Sequence, residues 1–372
     1  MKDKKRYSLI GFILKLLSII TIVSLLFAYL SPFVHPGTLW FIPFFGLMYP
    51  IIIGCALILL IFNLIRRSRM TLLLIIVIVC GGKLHFRQFV FSSKEPTKTE
   101  NNLKLLSYNV RLFDLYNWSV NGKNENRKNI LSYIVEENPD VMCFQEFYDK
   151  KRNLNFKTMA ALQTSFKGIY KHTKYSTRNN GGQKFGIAIV SKFPIVNRGE
   201  VNLPSQNNEK SHNYCIYVDI KKGKDTLRIY NVHLQSIKFK KDDYALFNEM
   251  GEPIPNQSKV IESVIKKLSN AYPERASQAQ AIVEDARYSP YKVVICGDFN
   301  DTPLSYTYNQ FSSRYVDAFR NSSSGIGTTY IGKIPAGRID FIFHSNALFS
   351  SNFSIQKQEY SDHRAISCTI GL

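Results

Sequence analysis

Asp298 and Asn300 close the segment KVVICGDFNDT (292–302), in which an apolar, β-branched run ends abruptly in Gly-Asp-Phe-Asn-Asp. Such a run reads as a buried strand, and its glycine is expected to let the backbone turn so that both polar side chains emerge at the strand's mouth. Acids and an amide gathered there suit a hard cation and a polarised water. The plainer alternative is that Asp298 and Asn300 only cap a turn. Other runs in the same region weigh against it, because they end in the same way. LKLLSYNV (103–110) delivers Asn109, DVMCFQEF (140–147) delivers Gln145 and Glu146, and TLRIYNVHLQ (226–235) delivers Asn231 and His233. RIDFIFH (338–344) carries Asp340, and Ser361-Asp362-His363 precedes a last strand-like run.

No single piece is specific, but their order is. SYNVR, PDVMCFQE, NVHL, GDFN, RID and SDH, taken together over about residues 103–372, resemble the endonuclease/exonuclease/phosphatase superfamily. Proteins of that superfamily include DNase I-like nucleases, AP endonucleases, inositol polyphosphate 5-phosphatases and neutral sphingomyelinases. The resemblance implies a four-layered α/β sandwich of two packed mixed sheets, DNase I-like, with a metal-dependent phosphoesterase site at one edge. Composition and spacing alone reach only an α/β protein with clustered carboxylates.

A phosphodiester resists hydrolysis because its charge repels nucleophiles and its alkoxide is a poor leaving group. A catalyst therefore needs a cation, an oriented water and donors to the non-bridging oxygens. Glu146 is the first candidate ligand for Mg²⁺, with Mn²⁺ as the alternative, since a carboxylate plus waters and substrate phosphate is how such an ion is held. Asn109 is expected to offer its carbonyl oxygen or orient a metal-bound water, and Asp362 to bind or position a second ion; one or two metals both remain open. Asp298 is placed to orient and deprotonate the attacking water, and Asn300 to hold that water or a phosphoryl oxygen. His233 and His363 are the expected donors to the transition state. By the resemblance, Asp340 hydrogen-bonds His363 and favours its imidazolium. Whether Asp298 or the Asp340–His363 pair is the base stays open. Gln145 is expected to support Glu146. Arg111 and Arg338 read as structural partners of carboxylates, and His35 and His85 as interfacial groups.

The first ninety residues follow other rules. Residues 8–30 are apolar apart from Lys15, and residues 38–65 carry no charge, so each exceeds the roughly 20 residues that cross a bilayer core. Lys15 lies near the start of the first run, where it can lift its ammonium to the interface. A third run, residues 70–82, spans only if extended through Lys83, His85 and Arg87 to about Phe91. The expected organisation is an anchor over 1–91, a polar linker over 92–102 and one catalytic domain over 103–372. Basic clusters at Lys2–Arg6 and Arg66–Arg69 place both flanks on the cytoplasmic side. Three spans then put the domain outside the cytoplasm, on a cell inner membrane. Residues 1–94 hold eleven Lys or Arg and one Asp, so half of the +20 net charge is topogenic. The remainder favours a polyanionic substrate or an anionic membrane surface, that is, a nucleic acid or a phospholipid headgroup.

Six scattered cysteines show no CxxC spacing that would suggest zinc. Helices are expected over 126–137, 276–286 and, as a separate amphipathic piece, 260–268. The last lies in an insertion, residues 236–273, placed directly after His233 to border the site or merely to cover surface. The expected activity is metal-assisted phosphodiester hydrolysis by direct attack of water, with nuclease, sphingomyelinase-like phospholipid phosphodiesterase and phosphomonoesterase all open. The alternative is a non-catalytic membrane module that binds a phosphorylated ligand, but every expected catalytic position carries a reactive residue. A transporter has little support, since the apolar helices show no paired polar residues to line a path.

Overall fold

The structure is a computed structural model that describes residues 9–91, 101–116, 125–150, 156–178, 182–205, 214–237, 257–332 and 337–372. Most of the expected linker and the first part of the insertion after His233 lie outside the described residues.

Helices α1 (Leu9–Leu30), α2 (Ile42–Leu47), α3 (Tyr49–Ile65) and α4 (Met70–Gly81) form an N-terminal bundle. The uncharged run 38–65 is thus not one helix as expected. It breaks at Met48, and each of the two helices that flank the break carries a proline, Pro43 or Pro50, in its first turn, where the missing N–H is tolerated. The third run is the more continuous: α4 passes through one 3-10 turn, Gly82–Leu84, into α5 (His85–Gln88), giving a 19-residue apolar helix over Met70–Gln88. It stops short of Phe91, because Val90–Phe91 forms a short strand, β1. By length and composition two helices, Leu9–Leu30 and Met70–Gln88, could cross a membrane, while Tyr49–Ile65 is shorter. Contrary to the sequence reading, the bundle does hold a polar pair: buried Asn63 donates from Nδ2 to the Ser18 hydroxyl at 3.0 Å. At the other end Tyr29, Tyr49 and His85 meet, with the Tyr49 hydroxyl bonded to His85 Nδ1.

The rest of the chain builds two six-stranded sheets. In chain order its elements are β2 (Asn102–Asn109), α6 (Glu125–Glu137), β3 (Val141–Lys150), α7 (Thr158–Ser165), β4 (Tyr170–Arg178), β5 (Gln183–Ser191) and β6 (Ile195–Val201). There follow β7 (Tyr214–Lys222), β8 (Asp225–His233), α8 (Gln257–Arg287), β9 (Lys292–Asp298), α9 (Tyr306–Ser312) and β10 (Val316–Asp317). The last are α10 (Ala318–Ser322), β11 (Ser324–Gly325), β12 (Asp340–His344), β13 (Phe349–Ile355) and β14 (Ile366–Gly371). One sheet runs β13-β14-β2-β3-β5-β4 and the other β10-β12-β9-β8-β7-β6. Both are mixed: β2 is parallel to β3 and β8 to β9, and the other neighbours are antiparallel.

Period-two alternation explains the layering. Leu103 and Leu105 of β2 point into the core between the sheets with Val141, Ile187, Ile229 and Val294. Leu106 and Tyr108 point the other way, onto Ile130 and Ile134 of α6 and Leu162 of α7. The second sheet is covered likewise by Ala279, Ile282 and Val283 of α8 and Phe311 of α9. The two helices expected around 260–268 and 276–286 are one, α8, which continues through Pro273. Its long buried face, from Val264 to Ala286, holds it on the protein despite the lost backbone bond.

A bulge in β3 links the sheets. The β3–β5 register shifts between Phe144 and Phe147, and Glu146 takes a left-handed φ of 49°. Across the core, fully buried Asn231 of β8 donates to Phe144 O at 3.1 Å and Ala188 O at 2.9 Å, and accepts from Gln145 Nε2 at 2.6 Å.

The bundle docks on the second sheet's side. Leu304 packs among Leu25, Ala28, Tyr49 and Ile53, and the Phe44 and Tyr272 rings lie 5.7 Å apart. Arg338 and Arg320 donate to Arg87 O and Phe86 O, carbonyls at the C-terminus of α5 that a helix leaves unpaired. Arg87 in turn donates to Asn309 Oδ1 at 2.8 Å, and β1 pairs with β11. Arg338 is thus structural, as expected, held also by Asp317 at 2.7 Å.

Replacing Asn231 by Leu keeps the volume but withdraws all three bonds. At about 1–3 kcal/mol for each buried group left short of a partner, the variant is expected to unfold at markedly lower urea concentration than the parent in detergent solution. An unchanged midpoint would contradict the assignment of this amide as the link between the sheets.

Candidate active site

Strand register brings the polar residues together. In the second sheet His233 of β8, Asp298 of β9 and Asp340 of β12 stand opposite one another on three adjacent strands. Gly297 makes this approach possible in a way the sequence reading did not foresee. It is not a turn residue but lies within β9 at φ 142°, where an added Cβ would fall 1.9 Å from Val232 O. Beyond it, Asn300 takes φ 53° and wraps back so that its N–H donates to Asp298 Oδ1 at 2.8 Å. Its side-chain amide donates to Leu234 O at 3.2 Å. The chain after His233 is clamped by α8, with Arg275 Nε donating to Gln235 O and Gln278 Oε1 accepting from Gln235 N–H.

Asp298 is the hub. It is buried, and its Oδ2 accepts from Asn109 Nδ2 at 2.9 Å. The same oxygen lies 3.7 Å from His233 Nε2 and 3.7 Å from His363 Nε2. His363 arrives from the loop before β14 and is fixed by Nδ1 bonded to Asp340 Oδ2 at 3.0 Å, which the resemblance led us to expect. Burial alone would lower the His363 pKa, but the charges of Asp340 and Asp298 and the Asp340 hydrogen bond outweigh it and hold the pKa well above the usual range. Burial also pushes the Asp340 carboxyl up, while the imidazolium opposes it; the shared proton rests on His363, the stronger base. Buried His233 Nε2 has no hydrogen-bond partner among the described residues and faces Asp298 and, at 4.0 Å, Glu146.

Glu146, turned outward by the bulge, keeps 34 % of its side-chain surface open at the rim of the other sheet. Burial of the rest, and the nearby carboxylates of Asp362 and Asp298, raise its pKa, with His233 and His363 pulling the other way. Asp362 is paired with Arg111, Oδ2 to Nε 3.2 Å. Of the three expected metal ligands, Asn109 is already committed: its Nδ2 faces Asp298, at 3.5 Å from Glu146, and its Oδ1 accepts from Arg111 N–H. Gln145 points into the core toward Asn231 rather than to Glu146.

Among the described residues, potential ligand atoms lie within 4.8 Å of one another instead at Asp298, Asp340 and His363. An imidazolium there has no lone pair to give a cation. A partly open carboxylate whose proton affinity is raised by burial and by a neighbouring carboxylate is the better donor for a divalent ion, and Glu146 beside Asp362 fits that description.

Sequence reasoning missed several supports. Thr329 Oγ1 accepts from the N–H groups of Ile339 and Asp340, Ser361 Oγ donates to Asn109 O, and the Tyr330 ring stands edge-on to His363 at 5.0 Å. Arg111 to Asp114, directly after the SYNV strand, all have φ between 42° and 56°. This left-handed turn, costing about 1–2 kcal/mol per residue, aims Arg111 at Asp362 and is pinned by Phe113 against Phe147 and by Asn126 Nδ2 donating to Asp114.

Two mixed sheets with helices outside define an α/β sandwich, with carboxylates and imidazoles gathered at one rim. More narrowly, residues 106–363 match the Endonuclease/Exonuclease/phosphatase family, and the chain belongs to it. Residues 11–88 match a second family, described only as a domain of unknown function. Among solved structures, an endonuclease/exonuclease/phosphatase from Beutenbergia cavernae DSM 12333 is 18% identical, with 73% of this chain and 72% of that one covered and a TM-score of 0.52. One from Bacteroides vulgatus is 14% identical over 74% of this chain and 100% of that one, TM-score 0.53. The human Nocturnin catalytic domain with bound sulfate anion is 17% identical over 73% and 94%, TM-score 0.51. These likenesses are of fold. No curated protein matches the chain.

Asp340→Asn removes the charge that holds the His363 proton, so the His363 imidazole is expected to titrate at distinctly lower pH. The parent's His363–Asp340 contribution to stability is full below the unfolded His value of about 6.5 and fades as pH rises through the folded His363 pKa. Nitrogen-15 NMR titration of the imidazole checks this; an unshifted His363 in the variant would refute the pairing as the cause.

Proposed function

We propose that this chain is a membrane-anchored, divalent-cation-dependent phosphodiesterase that cleaves by direct attack of water. The observation that carries this reading is the placing of two imidazole Nε2 atoms at equal distance from one buried carboxylate oxygen, Asp298 Oδ2. That is a donor pair around a base, the arrangement that anionic phosphoryl oxygens and a water require.

Asp298, held by Asn109 and Asn300, takes a proton from the attacking water as the new O–P bond forms. His363, charged by virtue of Asp340, and His233, whose Nε2 has no hydrogen-bond partner among the described residues, donate to non-bridging oxygens. The P–O bond to the leaving group breaks, and the alkoxide is protonated from His363 or from solvent. The high pKa of His363 supports Asp298 as the base, since an imidazolium cannot accept a proton. Glu146 with Asp362 would hold Mg²⁺ or Mn²⁺, with Asn109 beside them, and the ion would supply Lewis-acid stabilisation of the developing charge. Nucleic acid and phospholipid headgroups are the favoured substrate classes, and the same chemistry admits a phosphomonoester.

The bundle as anchor is part of the same proposal, with 1–91 as anchor and 103–372 as catalytic domain. Contacts support three antiparallel passes: Ser18 meets Asn63 at one level, while Tyr29, Tyr49 and His85 meet at another. Arg66, Arg67 and Arg69 follow the Asn63 end, and the catalytic domain docks at the Tyr29 end. The positive-inside rule then favours an extracytoplasmic domain on a cell inner membrane.

The full chain in detergent is expected to release p-nitrophenol from bis-p-nitrophenyl phosphate with Mg²⁺ and to stop on adding EDTA. Asp298→Asn, which preserves shape, should lower kcat by about 10²–10⁴. EDTA-insensitive turnover, or an Asp298→Asn enzyme of parental rate, would sink the mechanism.

A further inference from the structure

The first half of α8 belongs to a small apolar cluster apart from the core that its second half covers. Val264, Leu268 and Tyr272 form a buried row against Phe44 of α2 and Ile237. Ile261 and Ile265, one turn apart and flanking that row, are each 39% exposed. Lys259 and Lys266 occupy the far side of the same turns, with Lys267 nearby and Glu262 the one acid among them. A helix with an open apolar flank and a basic opposite side has the make-up of one that lies in a membrane surface. What fixes the occupant is continuity: the flank extends the apolar surface of the bundle through the Phe44–Tyr272 contact, and Trp40, at 56% exposure, lies four residues from Phe44.

We infer that residues 257–268 rest in the plane of the bilayer surface, with Ile261 and Ile265 in the outer acyl region and the lysines among anionic headgroups. This rests on the reading of the bundle as a membrane anchor. Its consequence for the site follows from chain length. Ile237 and Leu304, both packed on this region, are four residues from His233 and Asn300, so each link spans at most about 14 Å. The catalytic mouth is thereby held close to headgroup level by α8 as well as by the bundle.

Tryptophan reporters test this in the full chain with Trp40 and Trp118 replaced by Phe, reconstituted in nanodiscs of phosphatidylcholine and phosphatidylglycerol with or without brominated acyl chains. Ile265→Trp sits on the proposed buried flank, Lys266→Trp on the opposite side, and Ile58→Trp on the open face of α3. Bromine is expected to lower Ile265→Trp emission at least about twofold, the apolar face of such a helix being about 5–10 Å deep, and to leave Lys266→Trp nearly unchanged. Quenching of Ile58→Trp without quenching of Ile265→Trp overturns the surface helix and leaves the anchor standing. Equal quenching of the 265 and 266 reporters overturns the assignment of faces. An unquenched Ile58→Trp overturns the anchor and this inference with it.

Discussion

One side-chain amide, that of Asn231, holds the two sheets in the relation that the site needs. A polar group buried in a sandwich core is a liability unless all its bonds are made, and here both carbonyl and amide of Asn231 are engaged, by β3 and β5 of the opposite sheet. Two residues further along β8, on the same face, is His233. Beside the bonded Phe144 carbonyl is the bulge that exposes Glu146. The link between the sheets therefore also sets the distance between the imidazole of one and the carboxylate of the other.

Local strain is concentrated around that link. Glu146, Asn300 and the four residues after Val110 all occupy left-handed backbone that their side chains disfavour. Each is compensated by a named contact: the bulge by Asn231, Asn300 by Asp298 and Leu234, and the left-handed turn by Phe147 and Asn126. The electrostatics follow the same logic. Four carboxylates, Glu146, Asp298, Asp340 and Asp362, converge on two imidazoles and one guanidinium. Asp340 and Asp362 each have a fixed cationic partner, and Asp298 is held by amides. Glu146, 3.5 Å from Asn109 Nδ2 and 4.0 Å from His233 Nε2, is the most open of the four.

Much of this was legible in the chain itself. Buried strands ending in Asn109, His233 and Asp298 follow from apolar runs with polar ends, whereas Glu146 lies within β3 at its bulge and Asp340 opens β12; register then does the rest. Other features left no local signal. Gly297 was read for the freedom of glycine to turn, when its value is the absence of a Cβ against Val232, which only the partner strand reveals. Gln145 was expected beside Glu146, but the bulge puts consecutive side chains to different uses, and a bulge depends on cross-strand pairing. Nothing in RLFD announces a left-handed turn. The break in the second apolar run was readable from Pro43 and Pro50, yet hydropathy outweighed them. That Pro273 interrupts nothing reflects the apolar row on either side of it.

The grip of Arg320 and Arg338 on the last carbonyls of α5 has a kinetic meaning. A domain clamped to the end of a helix in this way does not swing on a tether, so its site keeps one orientation relative to the bundle. For a bundle embedded in a bilayer, collisions with substrate in the same leaflet become a matter of lateral diffusion. Turnover would then be set by molecules per unit area, and dilution of the surrounding solution would leave it untouched.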